Sequence, residues 1–379
     1  MSIQLRKPIY IMLLTFALIS SYIISLMKIL HILSGRELLF GIDVAAMDTI
    51  LALQEREDVE QFVVCRPHDD FLRPLRDVGI SVEIVDFNKW SKWFMKRWIP
   101  RQVHRRIKTY VPDVIHCWGG KSATFIPRGS GVPALEWDAN ISTLEHNDTC
   151  DYYVCVSHQN AEEVKIQTRR PDCVFLSHPF GTLQQDTALS SEKFGIPADK
   201  PVILMLARMS REKGVDLLLR SAVKLDVFLL LAGDGPELET YRSFARNLGI
   251  ESRVRFIGWR KDRSALLELA DILVIPSRRE SFGAVMPEAW YKGVPVVAME
   301  ADGPRQYINH GVNGMLCKIE DVDGLAKTLR VVLENADLRE RLITNGKRTY
   351  ETKFSKEVVI SQLLKIYEEI IHRGVIRNQ

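Results

Sequence analysis

Short, β-rich apolar runs alternate with stretches of helical periodicity along this chain, and the alternation happens twice. MKILHIL (27–33), QFVVC (61–65), SVEIV (81–85), DVIHCW (113–118), VPALEW (132–137), YYVCVS (152–157) and CVFLSH (173–178) form a first set. PVILMLA (201–207), DVFLLLAG (226–233), RVRFIG (253–258), DILVIP (271–276) and VPVVAM (294–299) form a second. Parallel strands need a crossover between them, and a helix is the usual one, so this order predicts two parallel sheets. Between the sets, LQQDTALSSEKFGIPADK (183–200) is polar, contains no strand candidate and reads as a linker. The expectation is an α/β protein of two doubly wound domains, 28–183 and 184–354, facing a central cleft. A length of 379 residues suits two cores better than one. In the final part, 355–379, the segment Ser355 to Arg373 sets Val358, Val359, Leu363, Leu364, Ile366 and Tyr367 at helical spacing. That pattern predicts an amphipathic helix with a core-facing stripe.

With 46% hydrophobic and 26% charged residues and no fixed-period repeat, the chain is neither disordered nor a solenoid. A formal charge of +3 is too small to argue for nucleic acid. Six cysteines without a CxxC pair fit a reduced compartment. No His, Cys and Asp cluster has the spacing of a metal site, so no metal is expected, and His116 and His178 read as buried or merely polar histidines.

From Ile9 to Met27 no residue is charged, and as a helix this run would span ~28 Å, close to a bilayer core. Met27 opens the first strand directly, with no slack between it and the apolar run. Residues 1–27 are therefore either a membrane anchor or the product of a start assigned too early, with Met27 the true first residue. A second membrane feature lies at 89–108, KWSKWFMKRWIPRQVHRRIK, which holds eight Lys or Arg and no acid. Trp90, Trp93, Phe94 and Trp98 recur at helical spacing among Lys96, Arg97 and their basic neighbours. Such a helix suits a membrane interface with anionic lipid or a lipid-linked acceptor. RNA is the other ligand for this patch, and an aromatic face packed on the sheet is the structural alternative.

The ends of strands are where ligands bind in doubly wound sheets. After DILVIP comes RESFGAVMPEAWYKG (279–293), where Glu280 and Glu288 are separated by seven residues, among them Ser281, Phe282 and Gly283. Gly283 lets backbone approach a ligand, and the amides opening the next helix offer donors. Glu288 falls in the first turns of that helix, facing the same loop, where its carboxylate suits a ribose diol. The structural alternative is that both acids are solvated surface charges, with Phe282 in the core. After PVILMLA, Arg208 and Lys213 flank a turn and can converge on a diphosphate in place of a metal ion. Gly233 and Asp234 of LLLAGDGPE form a tight turn, and Gly258 of VRFIGW stands at another strand end, where a flat base can lie. None of these loops is the GxGxxG fingerprint, which argues against a dehydrogenase.

ARMSREKGVDLLL, LAGDGPE, VRFIGW and PSRRESFGAVMPEAWYKGVPVVA, in this order and spacing, resemble the donor domain of family 4 retaining glycosyltransferases of the GT-B fold, built of two Rossmann-like domains. The likeness covers about the last half of the chain. It implies that Arg208 and Lys213 bind the donor diphosphate, that Glu288 binds ribose, and that Glu280 lies against the transferred sugar with the following amides holding sugar and phosphate. MEADGPRQYINHGVNGMLCK resembles the family's stretch beside the donor phosphates. In the first half the resemblance is looser. SGRELLFGID stands where the family has its glycine-rich loop, but carries Gly35 and Gly41 instead of paired glycines. DVIHCWGGKSATF, with Gly119 and Gly120, resembles the family's glycine turn facing the acceptor side. Where many members present a histidine to the sugar, this chain has Glu136, Trp137, Asp138 and Asn140, and Asp138 is the candidate.

The resemblance implies a nucleotide-diphosphate sugar as substrate with no cofactor, a lipid-linked or saccharide acceptor, no nucleic acid partner, and work at the inner face of the cytoplasmic membrane in envelope or lipopolysaccharide synthesis. A non-catalytic donor-binding subunit and a sugar-nucleotide epimerase of the same fold are the rivals. A glycoside hydrolase needs two carboxylates flanking the bond, and Glu288 is better used on ribose.

Overall fold

The computed structural model describes residues 26–34, 41–85, 92–127, 129–138, 144, 149–180 and 187–374; for 92–100 the backbone alone is described. Thirteen strands lie in two sheets. The first contains β1 (Met27–Leu33), β2 (Val59–Cys65), β3 (Ser81–Ile84), β4 (Val114–Trp118), β5 (Ala134–Trp137), β6 (Tyr152–Cys155) and β7 (Val174–Leu176). The second contains β8 (Val202–Leu206), β9 (Phe228–Ala232), β10 (Val254–Phe256), β11 (Ile272–Ile275), β12 (Val296–Met299) and β13 (Met315–Cys317). Strand orders are β3-β2-β1-β4-β5-β6-β7 and β10-β9-β8-β11-β12-β13, all paired in parallel. Every expected strand is present. β13 was not anticipated, because three residues give periodicity nothing to act on.

Helices cover both faces of each sheet, which is why β9 reads FLLLA and is buried at every position. One core cluster fills the outer face of the first sheet, another that of the second, and a third runs without a break from the first sheet to the second. The 183–200 stretch is more than a tether. Its 3₁₀ turn Ser191–Phe194 buries Phe194, and the Phe194 carbonyl accepts a bond from Arg255 (3.0 Å).

The helix Lys356–Arg373 starts at Ser355, whose hydroxyl accepts from the Val358 amide, and it returns to the first domain. Tyr367 meets His116 Nδ1 at 2.5 Å, and Lys356 pairs with Glu55. The buried stripe is Val359, Ile360, Leu363, Leu364, Ile366, Tyr367 and Ile370, while Val358 is only half-buried, one position off the expected face. All six cysteines are buried and no two form a disulfide.

No helix among the described residues is long and apolar enough to cross a membrane. The apolar run from Ile9 lies, as far as residue 25, outside the described residues, as do Gly35, Trp90 and Asn140. The basic segment does form a helix, Lys92–Tyr110, but the side chains of Trp93, Phe94, Lys96, Arg97 and Trp98 lie outside the described part.

Candidate active site

Strand order reverses between β1 and β4 in the first sheet and between β8 and β11 in the second. Crevices open at such points because neighbouring crossovers leave in opposite directions. Here the carboxyl ends of both sheets face one another across a cavity of about 580 Å³. Its first-domain wall includes Ser34 after β1, Trp118 ending β4 with Gly119, Gly120 and Lys121 after it, Trp137 ending β5 with Asp138 after it, and Gly41 and Asp43 of the helix Gly41–Gln54. Its second-domain wall is the turn Glu280, Ser281, Phe282, Gly283 and Ala284.

Lys213 and Glu280 come from loops 67 residues apart, yet Lys213 Nζ donates to Glu280 Oε2 at 2.7 Å, and Ser277 Oγ approaches the same oxygen at 3.3 Å. The loops touch because Gly214, at φ +69°, lies where a Cβ would collide with the Pro276 carbonyl. Arg278 stitches them further. Its guanidinium binds both Asp216 carboxylate oxygens (2.7 and 2.8 Å), Glu320 and the Arg211 carbonyl, and its amide donates to the Glu212 carbonyl at 2.7 Å. Arg208, at the end of β8, is exposed and makes no ion pair among the described residues.

Gly233 and Asp234 pack on the loop after β8, Gly258 bonds to Gly233, and none of the three lines the cavity. Gly233 donates to the Gly258 carbonyl (2.7 Å), and its own missing Cβ leaves room for the Ala207 carbonyl. The Asp234 carbonyl accepts from Met209, and its carboxylate from the Gly235 amide (2.7 Å), so Asp234 shapes the turn.

Glu288 differs from expectation. It lies in the first turn of the helix Val285–Lys292 but is 3% exposed, does not line the cavity, and pairs with Arg263 at 2.7 Å. Its Oε2 is buried without a hydrogen bond among the described residues. Burial pushes its carboxyl up to about 7, with Asp48 acting in the same direction and Arg263 against it. The helical period places Glu288 eight residues after Glu280 but turns it toward the helix Arg263–Glu268.

Asp138 is half-buried and adopts a left-handed backbone, φ +61°, unusual for a residue with a side chain. Burial pushes its carboxyl up to about 6. Strain of this kind gathers at functional sites.

Residues 186–349 match the family model described as "Glycosyl transferases group 1". The matched stretch lies within the second domain. Two relatives from Rhizobium meliloti (strain 1021) extend the similarity along the whole chain. The lipopolysaccharide core biosynthesis glycosyltransferase LpsE is 28% identical over 90% of this chain and 98% of its own length. LpsD, also a lipopolysaccharide core biosynthesis glycosyltransferase, is 28% identical over 93% of this chain and 100% of its own length. Among solved structures, Anabaena HepE in complex with UDP and glucose superposes with a TM-score of 0.76 at 21% identity, covering 90% of this chain and all of that one. The lipopolysaccharide outer core galactosyltransferase WaaB superposes with a TM-score of 0.69 at 20% identity over the same shares. These structures establish the GT-B fold of two Rossmann-like domains.

Within this glycosyltransferase framework the structure gathers Gly41, Gly119, Gly120, Asp138, Glu280, Ser281, Phe282 and Gly283 on one cavity, with Lys213 bonded to its rim. Trp118, Lys121, Asp43 and Arg278 were missed from sequence. The run SRRES holds Arg278 in plain view, but its partner Asp216 is 62 residues away, and no local signal links them.

Proposed function

We propose that this chain transfers a sugar from a nucleotide-diphosphate donor held by the second domain to a saccharide or lipid-linked acceptor held by the first, with retention at the anomeric carbon. The Lys213–Glu280 contact on the cavity rim carries this reading, because it joins a fixed cation to the acid beside the transferred sugar. Arg208 and Lys213 receive the charge that develops on the departing diphosphate, in place of a metal ion. Glu280 and the amides of residues 281–283 orient the sugar, and Asp138 faces it from the other wall. The acceptor hydroxyl attacks from the face the diphosphate leaves, and the departing phosphate takes its proton. Glu288, held by Arg263 away from the cavity, accepts from the ribose diol once donor binding opens that pair. The relatives LpsE and LpsD point to lipopolysaccharide core as the acceptor class, and the basic helix Lys92–Tyr110 to a peripheral contact with the membrane.

Purified protein is to be screened by thermal shift against UDP-, GDP- and ADP-sugars, since a bound donor raises stability by mass action. Nucleoside diphosphate release is then measured with and without deacylated lipopolysaccharide core, and the product anomer is assigned by NMR. Release that survives Glu280→Gln, or no release with any donor, overturns the enzymatic reading in favour of a binding subunit. An altered sugar nucleotide formed without acceptor identifies an epimerase.

A further inference from the structure

His178 follows β7 at the carboxyl end of the first sheet, is 8% exposed, and has no part in the chemistry above. Its ring contacts both domains. The Nδ1 atom lies 3.2 Å from the Val156 carbonyl, a group that can only accept, so Nδ1 carries the proton. Nε2 is then the acceptor, and Tyr307 Oη, at 3.2 Å, donates to it from the second domain. One face of the imidazole stacks on Phe282, with centroids 5.1 Å apart and planes within 2°. Phe354, where the chain crosses back to the first domain, packs against His178 (5.5 Å) and Phe282 (5.7 Å).

Each contact leads to the cavity. Val156 and Pro179 line the first-domain wall, and Phe282 sits inside the sugar-facing turn. Tyr307 belongs to the helix Asp302–Tyr307, in which the Gly303 amide donates to the Glu280 carbonyl at 2.7 Å, and a Cβ at Gly303 would collide with the Phe282 carbonyl oxygen, 2.5 Å from it. Only a neutral imidazole offers one donor and one acceptor on opposite edges of a flat ring. Burial holds the ring neutral, lowering its pKa to about 4.

We propose that His178 is a positioning residue, a neutral joint that fixes the 280–284 turn of the second domain in register with the acceptor wall of the first. This rests on the transferase reading for its catalytic consequence, but not for its geometry. Loss of the joint leaves donor binding intact and misplaces the sugar against the acceptor. His178→Ala is therefore expected to slow transfer by about 10–100-fold, the scale of a ~1 Å misplacement, with donor KM changed less than about threefold. Donor hydrolysis should rise relative to transfer. Tyr307→Phe keeps the packing and deletes only the donated proton, so it should shift the same ratio in the same direction by a smaller factor. It decides the matter if His178→Ala fails to fold.

Two readouts need no substrate. The ¹⁵N spectrum of the full chain should show His178 protonated at Nδ1 alone at pH 7, and His178→Ala should speed amide exchange in 280–284 without loosening β8–β13. A protonated or Nε2–H ring, unchanged exchange, or a variant effect confined to donor KM would overturn the joint. If UDP-, GDP- and ADP-sugars all fail to turn over while both substrate-free readouts hold, the transferase reading falls and the joint stands.

Discussion

At equivalent points of one topology the two domains present different chemistry to the cleft. Around the β8/β11 reversal stand Arg208, Lys213 and Glu280, held by loops that bond to each other through Ser277, Arg278 and Asp216. Around the β1/β4 reversal stand Trp118, glycines and Lys121, with Trp137 and Asp138 beside them. The support for this aromatic wall comes from far away. Trp118 Nε1–H donates to His31 Nδ1 (3.2 Å), which obliges His31 to donate through Nε2 to Gln61 (3.1 Å), and Gln61 donates to the Ile50 carbonyl (3.0 Å). His116 stacks on Trp118 at 4.0 Å and meets Tyr367 of the last helix. A charged wall can be assembled by two neighbouring loops, whereas an aromatic one needs a core behind it, and here that core includes the end of the chain.

The contrast breaks first at the charged wall. Lys213→Met should slow transfer by about 10²–10³-fold, or ~3–4 kcal/mol of transition-state stabilisation, with the melting temperature little changed. An equal loss from Trp118→Leu without loss of fold would show that the walls do not divide the work. Glu288→Gln is the next test, with an expected cost of about 1.5–3 kcal/mol in donor affinity. The carboxyl is pushed up to about 7, so its carboxylate prevails above that pH and is lost as pH falls through it. Calorimetric donor affinity should fall in the same window in wild type and be flat in the variant.

On the opposite wall, Asp138→Gly removes a left-handed side-chain residue that costs about 1 kcal/mol. Chemical denaturation should show a gain near that size while transfer slows, a sign of strain kept for function. The smallest effect belongs to Lys261 and Asp70, an ion pair between the domains at 2.6 Å with side chains 60% and 51% exposed. Asp70→Ala should leave the denaturation midpoint almost unchanged, and molar salt should erase any difference.

Much of this was readable in the chain. Twelve of the strands follow from apolar runs alone, and the turn after β11 announced itself through Glu280, Gly283 and the helix that follows. Other features escaped because they are made by distance. Ile360 faces the core while Val358 is only half-buried, because the final helix docks on a sheet whose position relative to it no local period encodes. By helical spacing Glu288 faces the 280–283 loop, but Arg263, on a separate helix, pairs with it at 2.7 Å.

Alternating patterns act over a few residues, and burial of apolar side chains is strong enough that such patterns determine which segments become strands and helices, and hence the doubly wound class. Which side chains meet is another matter. That Lys213 reaches Glu280, that Arg278 binds Asp216, and that His178 lies between Val156 and Tyr307 depended on loops brought together by packing. Hydrogen bonds and ion pairs are short-ranged and directional, so only the assembled tertiary structure could choose their partners.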